Sequence, residues 1–593
     1  MNKPNKRIEL LRAEMQKNGI SACIITDSNP HLNEYSADSE RERTWISGFD
    51  GSNGIVVLTA AKAVLWTDSR YTLQAQNQLK GTEFQIFTTR NLFTDATAWL
   101  KNEFPEGNHQ IALRLDVFST ETIEKAKKDF SECFSLIHKD LISLIWKDRP
   151  KIKAKEIFLF DLEYSGKPSS EKLAEIRAEM TKENAGVLIL SDMEDIAWTF
   201  NFRGYDLPHS PVAAAFAVIE QENCFLFIDR EKITDDICKF YERRDITVLD
   251  YSVIDIYLSD IEPNKTVWID KSRINYQLFQ NLTGCRIIDK LSPSALLKSK
   301  KNAVEIAGFR NACIKDGVAL VRLFMWIEEN VKNGTVSEIS VAEKLHELKS
   351  AQALFFGESF STIAGYGEHG AIGHYFAKPE TNATLKPESF LLLDAGTQFF
   401  DGTTDMTRTL ALGEPTAQMK TDYTLVLKGH IALAQAKFPA GTFGYQLDTL
   451  ARQFLWQNGI IYGHGTGHGI GHFLNVHESP PAVRFIDEKP VALAAGMVIS
   501  NEPSISRAGE YGVRLENMVL VVEDGETAFG KFLKFETISL IPFDNKTIDF
   551  SLLNENEITW LNDYHTLVFE KISPFLTEKE CDWLKNKTKI IQR

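Results

Sequence analysis

The sequence predicts an α/β (α+β) protein of three domains: two N-terminal mixed-sheet α/β modules and a strand-rich C-terminal domain. Three observations lead there. Residues 1–155 and 156–297 each alternate helical and β-type apolar periods. Two polar stretches interrupt the chain: Lys147-Asp-Arg-Pro-Lys-Ile-Lys153, and Ser292-Pro-Ser294 followed by Lys298-Ser-Lys-Lys301. Residues 298–593 then turn rich in strand signals and hold most of the histidines. At roughly 100–200 residues per domain, a chain of 593 residues accommodates this division.

In the first module, Ile8, Leu11, Met15 and Ile20 recur at helical spacing, whereas Ala22–Ile25, Gly54–Leu58 and Ala63–Trp66 are short β-type runs. The second module repeats the style. Residues Glu171–Thr181 read as helix, and Val187–Leu190, Ala214–Val218 and Cys224–Ile228 read as strands. The stretches Asp27–Trp45 and Asp192–Ala197 each follow a strand and open a polar segment, so the two modules share a plan and admit an internal duplication. The third domain opens with a long helical pattern through Glu305, Phe309, Cys313, Gly317, Val321 and Met325.

Composition narrows the function classes. A hydrophobic share of 43% and a charged share of 25% are ordinary for a soluble globular chain. The net charge of −15 argues against a nucleic-acid surface, where phosphates are met by clustered Lys and Arg. It suits attraction of metal cations and peptide amino groups. The seven cysteines are scattered and form no CxxC pair, which argues against a disulfide framework and a thiolate zinc site. The N-terminal MNKPNKRIELLRAEMQKNGI reads as an amphipathic helix and not as a signal peptide. The apolar run Val212–Ile219 falls far short of the roughly 20 residues of a membrane span. A cytoplasmic protein without membrane association is expected.

The chemistry gathers between His374 and Glu516. Leu391-Leu-Leu-Asp394 carries an apolar strand into an aspartate, and a buried carboxylate is costly unless paired or bound to a metal. Taken alone, the residue reads more readily as a turn cap before Gly396. Asp405 follows Asp394 by 11 residues and heads another strand pattern. A hairpin centred near Phe399–Phe400 would set the two aspartates face to face, where a cation between them is at least as good a reading as a cap. Asp401-Gly402 reads as a simple turn.

Four of the 13 histidines lie between His464 and His477, with glycine at every second position from Gly463 to Gly471. The glycines allow close backbone approach to a ligand, and one histidine is a candidate metal ligand. No GK[ST] ending is present, so a phosphate loop is the poorer reading. Glu502 ends the strand pattern of Val498–Asn501 before Pro503. Gly512–Val522 reads as one buried strand with Arg514 and Glu516 on a shared face, its structural alternative being a buried salt bridge. Two Asp, one His and two Glu are enough ligands for two divalent ions about 3.5–4 Å apart, with a lean toward the harder ions.

These residues resemble a known family. Asp394, Asp405, His468, Glu502 and Glu516 are similar to the five metal ligands of the pita-bread metallopeptidases, which include methionine aminopeptidase, prolidase and aminopeptidase P. The strings LLLDAGTQFFDGTTDMTRT, GHGTGHGIGHFLNVHESP and SNEPSISRAGEYGVRLEN resemble three-domain aminopeptidase P, the Xaa-Pro aminopeptidases. RTWISGFDGSNG and LWTDSRYTLQA resemble its first domain, and DIAWTFNFRGYDLPHSP its second. KNAVEIAGFRNACIKDGVAL resembles the opening of the third domain, and ITWLNDYHTLVFEKISPFL the C-terminal extension.

The resemblance implies a pita-bread catalytic domain with a curved, mostly antiparallel sheet over residues 298–593. It implies a homodimer, two divalent ions with Mn²⁺ preferred over Co²⁺ or Zn²⁺, and peptides with proline at the second position as substrates. A hydroxide between the ions would attack the Xaa-Pro carbonyl. Asp405 would serve one ion and His468 with Glu502 the other, Asp394 and Glu516 bridging. The resemblance gives His374 a role in stabilising the oxyanion, His464 and His477 a place along the substrate, and Glu502 the proton transfer to the proline nitrogen. His472 is left as structural and His369 unassigned. Two departures from the family pattern, Ser504-Ile-Ser506 and Gly373 before His374, bear on pocket shape. The alternatives are a prolidase confined to dipeptides, and a non-catalytic peptide- or histone-binding protein of the same fold.

Overall fold

The computed structural model describes residues 3–130, 133–151 and 154–592. Ile152 and Lys153, the end of the first polar stretch, lie outside the described residues. The chain forms two compact units, Met1–Asp161 with Lys167–Leu296, and Leu162–Gly166 with Leu297–Arg593.

The first unit holds two six-stranded sheets. One is built from Ala22–Ile25, Gly54–Thr59, Ala63–Thr67, Phe84–Thr88, His109–Leu113 and Phe134–His138. The other uses Val187–Leu190, Ala215–Glu220, Cys224–Ile228, Thr247–Leu249, Thr266–Ile269 and Arg286–Asp289. With strands counted in chain order within each sheet, both run fourth, third, second, first, fifth, sixth. The pairing senses agree as well: first with second and second with third antiparallel, the other three pairs parallel. The shared plan read in the sequence is therefore a repeated topology. The central strands Ala22–Ile25 and Val187–Leu190 are buried along their whole length, as strands covered on both faces must be.

The second unit pairs its strands antiparallel. Phe390–Ala395 lies between Ile363–Tyr366 and Met406–Ala411. A six-stranded sheet contains Gly467–Gly469, Val498–Asn501 and Asn517–Thr527. The helix Ala303–Asn330 starts where the Asn302 side chain accepts from Val304 N and Glu305 N, with Glu305 reaching back in a capping box. Its Gly317 is obligatory: a Cβ there would stand 2.5 Å from the Leu540 carbonyl oxygen. Leu323, Leu391, Leu393, Val426, Ile431, Leu561 and Val568 share one core, so the last long helix, Glu555–Ile572, packs into the same interior as the strand that delivers Asp394. Burying each such leucine contributes about 2–3 kcal/mol. Among the described residues, no helix is long and apolar enough to cross a membrane, and all seven cysteines are free.

Two local expectations are corrected. The hairpin after Asp394 centres on Phe400–Asp401, not on Phe399–Phe400, because Phe399 pairs with Gly402 and Asp394 with Thr407. Asp405, two residues before Thr407, is thus the diagonal neighbour of Asp394 and not its direct opposite, although still on its face. The run Gly512–Val522 is two strands, Tyr511–Arg514 and Asn517–Thr527. The chain leaves one sheet and enters another at Leu515–Glu516, since Arg514 pairs with Ser504 in a short hairpin and Asn517 with Asn501 in the large sheet.

Candidate metal centre

Asp394 sits near the end of a strand whose six residues are all buried. Its Oδ2 accepts from Arg514 NH2 at 2.5 Å. Among the described residues no donor reaches its buried Oδ1. Arg514 also donates to Thr407 Oγ1 and to the Gly373 carbonyl. The buried pair available to Arg514 is therefore Asp394, not Glu516. Glu516 accepts at 2.6 Å from Thr407 Oγ1, the hydroxyl that also accepts from Arg514.

His468 lies in the short strand Gly467–Gly469. Its Nδ1 donates to the Gly469 carbonyl at 2.9 Å, which leaves Nε2 as the ring nitrogen turned to the carboxylates. That Nε2 stands 3.4 Å from Asp405 Oδ2 and 3.5 Å from Glu502 Oε1. The alternating glycines serve sheet packing here more than ligand approach: a Cβ on Gly467 would lie 1.9 Å from the Ser500 carbonyl oxygen. Glu502 is fixed by its backbone N–H, which donates to the Thr466 carbonyl at 2.8 Å.

Ligand atoms of Asp405, His468 and Glu516 all lie within 4.8 Å of one another. Electrostatics extends the group to five. Burial raises the pKa of Asp394, Arg514 opposes this, and Asp405 adds to it. Burial, against the pull of His468 and Arg514, pushes Glu502 up to about 7 with help from Asp405 and Asp394. Burial and the carboxylates of Asp405, Glu502 and Asp394 lift Glu516 well above the usual range. Burial disfavours a charged His468, yet Asp405 and Glu502 reverse this and push it up to about 9. Carboxylates this close and dry cannot all ionise without cations among them. The orphaned Asp394 Oδ1, the His468 Nε2 turned to Asp405 and Glu502, and the raised carboxylates together fit a site for divalent ions.

The remaining histidines take distinct places. The His477 ring meets His468 edge-on with centroids 4.5 Å apart. His464 Nε2 lies 2.5 Å from Ser504 Oγ, so a residue that departs from the family pattern is in contact with a candidate substrate histidine. His374 follows Gly373, whose carbonyl accepts from Arg514. His472 is buried with Nε2 on the Asp401 carbonyl, and His369 pairs with Glu338. The Asp401 turn is anchored by Lys315 and Asn311. Sequence reasoning missed the reach of Arg514 to Asp394; its one signal was an arginine amid a buried apolar run.

Residues 307–523 match the model of metallopeptidase family M24, and residues 531–591 that of its C-terminal region. The creatinase/prolidase N-terminal domain matches twice, over residues 7–149 and 148–305, in keeping with the repeated sheet. A probable Xaa-Pro aminopeptidase P from Coprinopsis cinerea is 37% identical, with 98% of each chain covered. The chain belongs to the Xaa-Pro aminopeptidases of metallopeptidase family M24. Aminopeptidase P1 of Arabidopsis thaliana is 33% identical to this M24 chain, covering 96% of it and 97% of the plant protein. The crystal structure of an X-prolyl aminopeptidase from Caenorhabditis elegans, described as a cytosolic enzyme with a di-nuclear active site, superposes over 100% of both chains. Its TM-score is 0.94 at 30% identity. The M24 domain thus spans all five clustered residues, Asp394 to Glu516.

Proposed function

We propose that this protein removes the N-terminal residue from peptides with proline at the second position, using two divalent ions held by Asp394, Asp405, His468, Glu502 and Glu516. The carrying observation is the convergence of four carboxylates and an imidazole in a buried cluster, in a chain covered end to end by Xaa-Pro aminopeptidases. Asp405 would be the central ligand of the set, with Asp394 toward its edge. Asp405 alone acts on the other four members of the set, whereas one oxygen of Asp394 is occupied by Arg514.

When bound, such ions supply an activated water and polarise the scissile carbonyl. The protein's own groups do the rest. His374 donates to the oxygen on which negative charge develops. Glu502 takes a proton at its carboxylate and passes it to the proline nitrogen, which must be protonated to leave. His464 and His477 flank the substrate and help exclude water. Proline has no N–H, so selectivity rests on ring shape. Carboxylate-rich ligation favours Mn²⁺ over Co²⁺ or Zn²⁺. A cytoplasmic homodimer is proposed, and the exposed edge-on rings of Trp456 and Phe485, with Ile461 and Ile486 also exposed, support the dimer. Three domains bounded near 155 and 297 complete the reading, supported by the two separate sheets of the first unit.

The test is cleavage of Arg-Pro-Pro and of a longer Xaa-Pro peptide by chelator-stripped protein with Mn²⁺, Co²⁺ or Zn²⁺ restored. Metal-dependent release of the first residue from both is expected, with loss of turnover and of metal uptake in Asp405→Ala and His468→Ala. Cleavage of dipeptides alone would make it a prolidase. No cleavage with any ion would overturn the enzymatic reading in favour of a binding protein.

A further inference from the structure

The guanidinium of Arg408 is fully buried, yet each of its hydrogen-bond acceptors is neutral. It donates to the carbonyls of Thr407, Glu516, Ile541 and Pro542, to Asn517 Oδ1 at 2.8 Å and to the Tyr564 hydroxyl at 2.9 Å. Its guanidinium also stacks over the Phe543 ring, 4.2 Å from the centroid. A buried cation without a carboxylate in contact is unusual, because its solvation must come from dipoles alone. Here it follows Asp405 by three residues and holds the backbone of Glu516, so its charge sits behind the carboxylate cluster as a fixed counter-charge.

The network continues. Asn517 Nδ2 donates to His430 Nε2 at 3.1 Å. The His430 Nδ1–H faces the carbonyls of Asn501 and Leu515 at 3.1 and 3.2 Å. These partners require the neutral tautomer with its proton on Nδ1. Asn501 returns a bond to the His430 carbonyl at 2.9 Å. Asn501 precedes Glu502, and Leu515 and Asn517 flank Glu516. One buried chain of polar groups therefore ties together the segments that present Asp405, Glu502 and Glu516.

Its outer end lies in the last long helix, Glu555–Ile572. The Tyr564 hydroxyl accepts from Arg408 and donates to the Ile541 carbonyl at 2.8 Å. Its ring stacks parallel to Trp560, with 5.3 Å between centroids and 1° between planes. Trp560 in turn meets the His430 ring edge-on at 6.0 Å.

We propose that the C-terminal region is a positioning element of the metal centre. Tyr564 orients Arg408, and the Arg408–Asn517–His430 chain sets the spacing of the segments bearing Glu502 and Glu516. This rests on the proposed function, since it concerns how the two ions are held.

The experiment compares metal-stripped wild type, Tyr564→Phe and Thr588→Val. The last loses another buried hydroxyl bond of the C-terminal region, to the Leu584 carbonyl, away from this chain. Mn²⁺ binding is measured by calorimetry, Co²⁺ coordination by visible absorption, and unfolding of the metal-free protein by thermal melting. Tyr564→Phe should bind Mn²⁺ about ten-fold more weakly and alter the Co²⁺ spectrum. It should lower kcat more than it raises KM, and melt metal-free like Thr588→Val, which should bind metal as wild type does. Wild-type Mn²⁺ affinity and Co²⁺ spectrum in Tyr564→Phe would overturn the inference alone, as would equal weakening in Thr588→Val. A wild type that takes up no divalent ion would overturn the proposed function and this inference with it.

Discussion

Arg514 donates from NH2 to Asp394 Oδ2 at 2.5 Å, joining two residues 120 positions apart in a buried ion pair at the edge of the carboxylate cluster. The pair opposes the burial that, together with Asp405, holds the Asp394 pKa above its ordinary value. It leaves Oδ1 as the oxygen available to a ligand.

Replacing Arg514 by Met should therefore cost more than an ordinary polar-to-apolar exchange. It strands a buried carboxylate, at a penalty of about 3–5 kcal/mol in the metal-free protein. Saturating Mn²⁺ supplies positive charge to the same cluster and should recover part of the loss. Urea unfolding with and without the ion measures both. Equal stability of variant and wild type would show that Asp394 does not need this partner.

Buried histidines set an acid limit. His31 is fully buried against the Phe216 ring, with Nδ1 on the Ser191 carbonyl and Nε2 on the Tyr251 hydroxyl. Burial lowers its pKa to about 4, and Lys232 assists while the Ser191 carbonyl, Asp192 and Asp206 oppose. The unfolded chain binds this proton near pH 6.5. The folded pKa is depressed, so the stabilisation is complete above pH 6.5 and is lost as pH falls toward 4. The slope is about 1.4 kcal/mol per pH unit. His31→Gln should lack this component, so the stability difference between wild type and variant should shrink on acidification over that window. A difference independent of pH between 7 and 4 would refute the assignment of His31 as a buried neutral ring.

Exposed apolar side chains at Trp456, Ile461, Phe485 and Ile486 give a third test. Ile461 is 78% exposed and Ile486 56%, and the exposed rings of Trp456 and Phe485 meet edge-on. Wild type should sediment at twice 67.1 kDa. Ile461→Asp, by placing a charge in an apolar contact, should shift it to the monomer with its melting curve little changed. A wild type that sediments as a monomer would remove the dimer from the proposal.

Much of the secondary structure could be read locally. Val187–Leu190 and Cys224–Ile228 form strands with the bounds their apolar runs predict, and the pattern from Glu305 to Met325 forms a single helix. Such runs report their environment through period and composition alone. The centre of the hairpin after Asp394 and the break at Leu515–Glu516 were not readable. Both depend on which distant strand a segment pairs with.

By itself, the sequence nominated the members of the candidate site. Asp394, Asp405, Glu502 and Glu516 stand out because carboxylates at the ends of apolar strands are costly without a partner, and the family resemblance picks His468 from four clustered histidines. Tertiary structure alone decided their relations. Arg514 serves Asp394 and not Glu516, Asp405 and not Asp394 lies at the heart of the cluster, and Arg408, His430 and Tyr564 converge behind it. The physical reason is that burial cost is a property of one residue in its local segment. Pairing geometry is a property of strands and helices brought together from more than a hundred residues apart.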